Sequence, residues 1–140
     1  MACGEYGLGR MSEPTEIVNA IQSILQPNRA LLGKTALVTA GPTREPIDPV
    51  RFIANRSSGK QGYSIAEALA AAGAETTLVT GPTNLPVPSG MRVLKVETAD
   101  EMLAHCMESL PVDIAVCAAA VADWKAVSYT HLRAHETATY

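Results

Sequence analysis

Aromatic side chains are scarce, at 4% of the 140 residues, which argues against the stacking platforms that read single-stranded RNA. Basic charge is also in deficit, with 11 Lys and Arg against 14 Asp and Glu for a net charge of −3. Such a chain lacks the positive field that drives sequence-independent binding to nucleic acid. No apolar run approaches the ~20 residues that a membrane-spanning helix needs, and the first residues lack a basic region followed by an apolar stretch. The expectation is a cytoplasmic chain with neither nucleic acid nor membrane as partner. Cys3, Cys106 and Cys117 are odd in number and show no CxxC spacing, so a disulfide framework is excluded.

What the chain has in quantity is small and aliphatic: 47% of it is hydrophobic, and the core must be built from Ala, Val, Ile and Leu. Apolar residues Ile17, Val18, Ile21, Ile24 and Leu25 recur at helical spacing over 12–25, with Pro14 in the first turn. TALVTA at 35–40, ETTLVT at 75–80, MRVLKV at 91–96 and the apolar run at 113–120 read as strands. A helix is predicted from Ser58, where Ser58 and Gln61 have capping-box spacing, to Gly73, and another is opened by Thr98 and Glu101. Strands alternating with helices predict a three-layer, Rossmann-like α/β fold, its mostly parallel sheet covered on both faces and here truncated. In such folds ligands lie where loops leave the strand C-termini. That directs attention to 41–58, to 81–86 and to the segment after Ala120. The stretch 41–57 reads as a long, proline-stiffened functional loop.

Asn55-Arg56-Ser57-Ser58-Gly59-Lys60-Gln61-Gly62 places two hydroxyls and two glycines at a helix start, where unpaired N–H groups and the helix dipole favour an anion. One reading is a phosphate cradle; the other is ordinary capping, with glycine for close packing. Lys60 is not a Walker lysine, because GxxxxGK[ST] is absent. Arg44 or Arg51 suits an acidic substrate, and equally an internal latch with Glu45 or Asp48. Gly81-Pro82-Thr83 repeats Gly41-Pro42-Thr43. Asp123 suits a ribose hydroxyl, Mg²⁺ or a helix cap. No GxGxxG occurs, and no acidic residue ends the second strand, which counts against a nicotinamide dehydrogenase. His131 and His135 do not form a zinc-hydrolase motif.

Read as one stretch, Gly41 to Lys60 closely resembles the phosphopantothenate-cysteine ligase domain, and 81–86 and 118–123 are similar to its next two signatures, in order. Ala2-Cys3-Gly4-Glu5, with Gly7, Gly9, Arg10 and Met11, looks like the end of a flavin-dependent phosphopantothenoylcysteine decarboxylase, the preceding domain of the bacterial bifunctional family. The resemblance implies coenzyme A biosynthesis. CTP with Mg²⁺ would convert 4′-phosphopantothenate into an acyl-cytidylate, cysteine would displace CMP, and an FMN-dependent decarboxylation would follow to give 4′-phosphopantetheine.

Carried over by position, Asn55 would handle the acyl-cytidylate and Arg51 would bind substrate beside it. Gly41, Thr43, Ser57, Ser58, Gly59, Lys60, Ala119, Ala120 and Asp123 would contact the nucleotide, and Cys3 would supply a proton in the reductive step. The resemblance assigns no metal ligands, and it implies a homo-oligomer for the parent. It divides the chain into a decarboxylase remnant and linker helix (1–28), the first part of the ligase (29–127), and a tail (128–140) that resembles translated adaptor sequence. It therefore implies a fragment with an incomplete site, in which Lys125 does not replace the lysine-rich loop of the family. The competing readings are a noncatalytic nucleotide- or dinucleotide-binding module and an inactive fragment.

Overall fold

The computed structural model describes residues 12–25 and 29–126. Four parallel strands form the main sheet: β1 (Thr35–Ala40), β4 (Glu75–Thr80), β5 (Arg92–Lys95) and β6 (Ile114–Cys117), in the order β5-β4-β1-β6. A two-stranded antiparallel hairpin, β2 (Arg44–Pro46) and β3 (Phe52–Ala54), interrupts the stretch expected to be one long loop. Three helices complete the description: α1 (Pro14–Leu25), α2 (Lys60–Ala71) and α3 (Ala99–Glu108). The expected α/β architecture is present, with a helix on each face of the sheet.

Alternation within the strands decides which helix each face receives. Val38, Ala40 and Leu78 point to one side and pack with Tyr63 and Ala66 of α2, while Leu37 and Val79 point to the other and pack with Val96 and Met102 of α3. Val38 and Leu78 are fully buried register partners, each worth about 1.5–3 kcal/mol in apolar burial. Small residues bring α2 close to the sheet: a Cβ on Gly62 would lie 2.5 Å from the Cβ of Ala40.

Three expectations need correction. The 41–57 stretch holds a hairpin because Arg44–Pro46 and Phe52–Ala54 pair antiparallel, and Ile47 and Asp48 both donate to the Arg51 carbonyl to close the turn. α2 begins at Lys60, two residues later than expected, because Gly59 adopts φ 74° and serves as N-cap. Ser58 therefore does not cap it, and no side-chain cap is made. The last strand ends at Cys117; beyond it Ala120 touches Pro42 only as a single parallel bridge. By contrast, α3 carries the full Thr98/Glu101 capping box expected of its sequence.

Candidate active site

The C-terminal ends of β1, β4 and β6 converge on a junction of main chains. A Cβ on Gly81 would fall 1.6 Å from the Pro42 carbonyl oxygen, and one on Gly59 would fall 2.8 Å from Thr83 Cγ2 and 3.3 Å from Gly41 Cα. Only residues without side chains let the three connections meet this closely. The repeated Gly-Pro-Thr pairs are thus two walls of one crossing. On the β6 side the crossing is zipped by hydrogen bonds. Ala120 N–H donates to the Gly41 carbonyl (2.8 Å), Thr43 N–H donates to that of Ala120 (3.2 Å), and Ala122 N–H donates to Thr43 Oγ1 (2.9 Å).

In front of this junction lies an open cleft of about 510 Å³. Asn55, Arg56, Ser57, Ser58 and Lys60 form one wall, Pro82 to Leu85 the other, and Arg44 and Phe52 of the hairpin flank it. Three cations line it and no carboxylate does, in a chain whose net charge is −3. Arg44 lies over the Phe52 ring, 4.8 Å from its centroid, with Glu97 at 3.8 Å. Asn55 is fixed by donating from Nδ2 to the Val121 carbonyl (2.8 Å).

At the start of α2, Ser57 Oγ accepts from Gly59 N–H (3.3 Å) and Ser58 Oγ from Lys60 N–H (3.4 Å). Both contacts are long and easily exchanged for a better acceptor. Among the described residues no protein group accepts from the Gln61 or Gly62 amides. The helix thus opens with unsatisfied donors beside three cationic side chains, an arrangement suited to a polyanion.

The structure sorts the residues singled out from sequence into four sets. Asn55, Ser57, Ser58 and Lys60 line the cleft. Gly41, Thr43 and Gly59 are buried behind it, and the Thr43 side chain, with 0% exposure, holds the β6 connection instead of facing a ligand. Ala119 and Ala120 are half-buried in that connection, and Ala119 N–H donates to Thr39 Oγ1 (3.3 Å). Arg51 and Asp123 lie off the cleft. Arg51 is latched to Asp48, with Nε and one terminal nitrogen each 2.6 Å from Oδ2, while Asp48 Oδ1 accepts from Val50 and Arg51 N–H. These bonds, the Arg51 side chain's first, hold the Asp48 carboxyl below its usual range. Between the two readings of Arg51, the geometry matches the latch. Cys3 lies outside the described residues.

Arg56, Asn84 and the burial of Glu45 escaped the sequence reading. Arg56 and Asn84 sit inside the recognised segments but became conspicuous only when the cleft brought them together. Glu45 was offered by the sequence only as a latch for an arginine; it is instead 2% exposed and accepts from Ala99 N–H.

Residues 31–138 match the family model described as the DNA/pantothenate metabolism flavoprotein C-terminal domain. The chain is 45% identical over 138 residues to the coenzyme A biosynthesis bifunctional protein CoaBC of Vibrio parahaemolyticus, covering 98% of this chain and 34% of that protein. It is 48% identical over 125 residues to CoaBC of Haemophilus influenzae, covering 89% and 31%. Among solved structures it resembles the C-terminal domain of a CoaBC, with 51% identity and a TM-score of 0.66 over 69% of this chain and 50% of that one. The DNA/pantothenate metabolism flavoprotein of Streptococcus pneumoniae gives 31% identity and a TM-score of 0.61, covering 66% and 42%. The chain spans about a third of the length of these curated relatives.

Proposed function

The chain belongs to the family of the DNA/pantothenate metabolism flavoprotein C-terminal domain, and from that premise we propose that it carries the nucleotide site of a CTP-dependent phosphopantothenate-cysteine ligase in coenzyme A biosynthesis. The observation that carries this reading is the cleft with three cations and no carboxylate at the open N-terminus of α2. A triphosphate is the ligand such a site matches: Arg56 and Lys60 supply charge, the Gln61 and Gly62 amides supply donors, and Gly59 keeps the wall thin. The relatives' names concern coenzyme A biosynthesis, which narrows the substrate to a pantothenate-derived acid.

In this reading the carboxylate of 4′-phosphopantothenate attacks the α-phosphorus of CTP. The bond to pyrophosphate breaks, and an acyl-cytidylate forms. The amine of cysteine then adds to the acyl carbon, CMP departs with the electron pair of the C–O bond, and the ammonium loses its proton. Arg56 and Lys60 hold the departing pyrophosphate, and Asn55, fixed by Val121, stands at the cleft wall to orient the reacting carboxyl group. Mg²⁺ accompanies the nucleotide. The described residues contain no group of three His, Cys, Asp or Glu able to hold a metal. FMN chemistry, with Cys3 as proton donor, would belong to the decarboxylase part that the sequence resemblance implies. Association into a homo-oligomer forms part of the same proposal. Among the described residues no helix is long and apolar enough to cross a membrane.

Calorimetric titration of the chain with CTP and Mg²⁺, followed by a pyrophosphate assay with 4′-phosphopantothenate, tests the reading. Saturable CTP binding is expected, and R56A and K60A are each expected to weaken it about tenfold, or ~1.4 kcal/mol. Absence of CTP binding by the folded chain would overturn it. Tighter binding of NADPH than CTP would favour a noncatalytic nucleotide- or dinucleotide-binding module, the reading that rests on the α/β pattern alone.

A further inference from the structure

Glu45 is a carboxylate almost without solvent access, in a hairpin whose other strand residues are half-buried or exposed. Its Oε1 accepts from the N–H of Ala99, the first residue of α3, at 2.8 Å. Next to it, Arg44 N–H donates to the Glu97 carbonyl at 2.7 Å. The hairpin is therefore bolted to the β5–α3 connection at two successive residues. One bolt is a carboxylate accepting from a main-chain N–H, and it sits where the helix dipole favours negative charge. Lys125, in the segment after β6, pairs with Asp100 of the same helix turn. Its ammonium is held above its ordinary pKa by Asp100 first and by the charge of Glu45 as well.

The hairpin transmits this anchorage. Glu45 is paired with Ile53 in the β2–β3 register, and two residues later the chain reaches Asn55, whose side chain grips Val121 and lines the cleft. We propose that Glu45 is a positioning residue. By clamping the hairpin to the first turn of α3, it sets Asn55 and the cleft wall that follows it at their working distance from the junction.

The proposal rests on the ligase reading for its kinetic arm but not for its structural one. The test uses E45A and E45Q in the full chain, read by the NMR signals of the Asn55 side-chain amide and the Ala99 N–H, and by pyrophosphate release. In E45A both signals are expected to move to positions of unbonded amides. Turnover should fall at least about tenfold with KM for CTP nearly unchanged, because a displaced wall affects orientation more than charge. E45Q, which keeps an oxygen facing Ala99, should retain the Asn55 signal and most of the turnover. A folded E45A with wild-type Asn55 signals would overturn the proposal, as would an E45Q no better than E45A. Should E45A fail to fold, E45D, whose carboxylate is drawn back by one methylene, decides on the same signals: an unmoved Asn55 signal overturns the proposal, and a displaced one supports it. If wild-type chain binds no CTP, the ligase reading fails; if it binds CTP but releases no pyrophosphate, the chain is the inactive fragment; in both cases the Asn55 and Ala99 signals still decide whether Glu45 sets the wall.

Discussion

Gly81 is the residue at which one methyl group does the most damage. An added Cβ would lie 1.6 Å from a main-chain oxygen, and neither loop has a side chain to move aside. G81A is expected to cost about 3 kcal/mol or more, seen as a large drop in the midpoint of thermal unfolding. Asp113 makes the opposite kind of contribution, at the surface. It accepts from Lys34 Nζ (2.8 Å) and from Thr35 N–H (2.9 Å) and Oγ1 (3.1 Å), and the Lys34 bond foremost lowers its carboxyl to about 2. A depressed folded-state value gives stability that is present above the unfolded value of 3.8 and lost as pH falls through about 2. D113N is therefore expected to be less stable than wild type at pH 7, with the difference closing between pH 4 and 2 in denaturant titrations. Lys34, whose ammonium is raised mainly by the same bond, keeps the pair intact through neutral pH and loses its part only in strong alkali. The two thiols should differ as well. Cys117 is exposed, whereas burial pushes the Cys106 thiol up. In a C3S background an aromatic disulfide reagent should label Cys117 well before Cys106 in the native state.

Among the elements, the two helices on the sheet begin by different means, and substitution should separate them. T98A removes the hydroxyl that accepts from Glu101 N–H at 3.2 Å and is expected to lower stability by about 1 kcal/mol in urea titrations. S58A removes only the long 3.4 Å contact to Lys60 N–H, since Gly59 fills the cap position, and should change stability by no more than about 0.5 kcal/mol. The same contrast shows what could be read from the letters. Thr98 and Glu101 announce their box because both partners are local, and the apolar runs at 35–40 and 75–80 match β1 and β4 to the residue. Ser58 and Gln61 have the same spacing, but the junction with Gly41 and Thr83 forces Gly59 into the left-handed region, and a constraint from residues far along the chain overrode the local signal. The hairpin was invisible for a related reason. Its strands are three residues each, too short for periodicity, and Glu45 is buried by α3, which lies more than fifty residues away. Of the site, Asn55, Ser57, Ser58 and Lys60 were legible as a run, while Arg56 and Asn84 became so only through the fold.

At the level of the whole molecule, one sheet separates two jobs. Its N-terminal edge is closed by the Lys34–Asp113 pair and takes no part in the cleft, while its C-terminal edge gathers the connections that build the cleft. Charge follows the same division: the chain is acidic overall, yet the cleft walls carry only cations among their charged residues. A polyanion drawn to the walls would be attracted at short range and opposed at long range. Raising salt from about 50 to 200 mM is therefore expected to weaken CTP binding by less than the loss from removing Arg56, because screening acts on both fields. Calorimetry across that range checks it.

The crossing of Gly41, Gly59 and Gly81 has a mechanical consequence. Gly41 meets the backbones of both Gly59 and Gly81, with the Thr83 methyl wedged beside them, so displacement of one connection is passed on at once to the other two. A molecule seated against this floor would push on β1, on β4 and on the start of α2 together, and the sheet edge would answer as a single stiff plate.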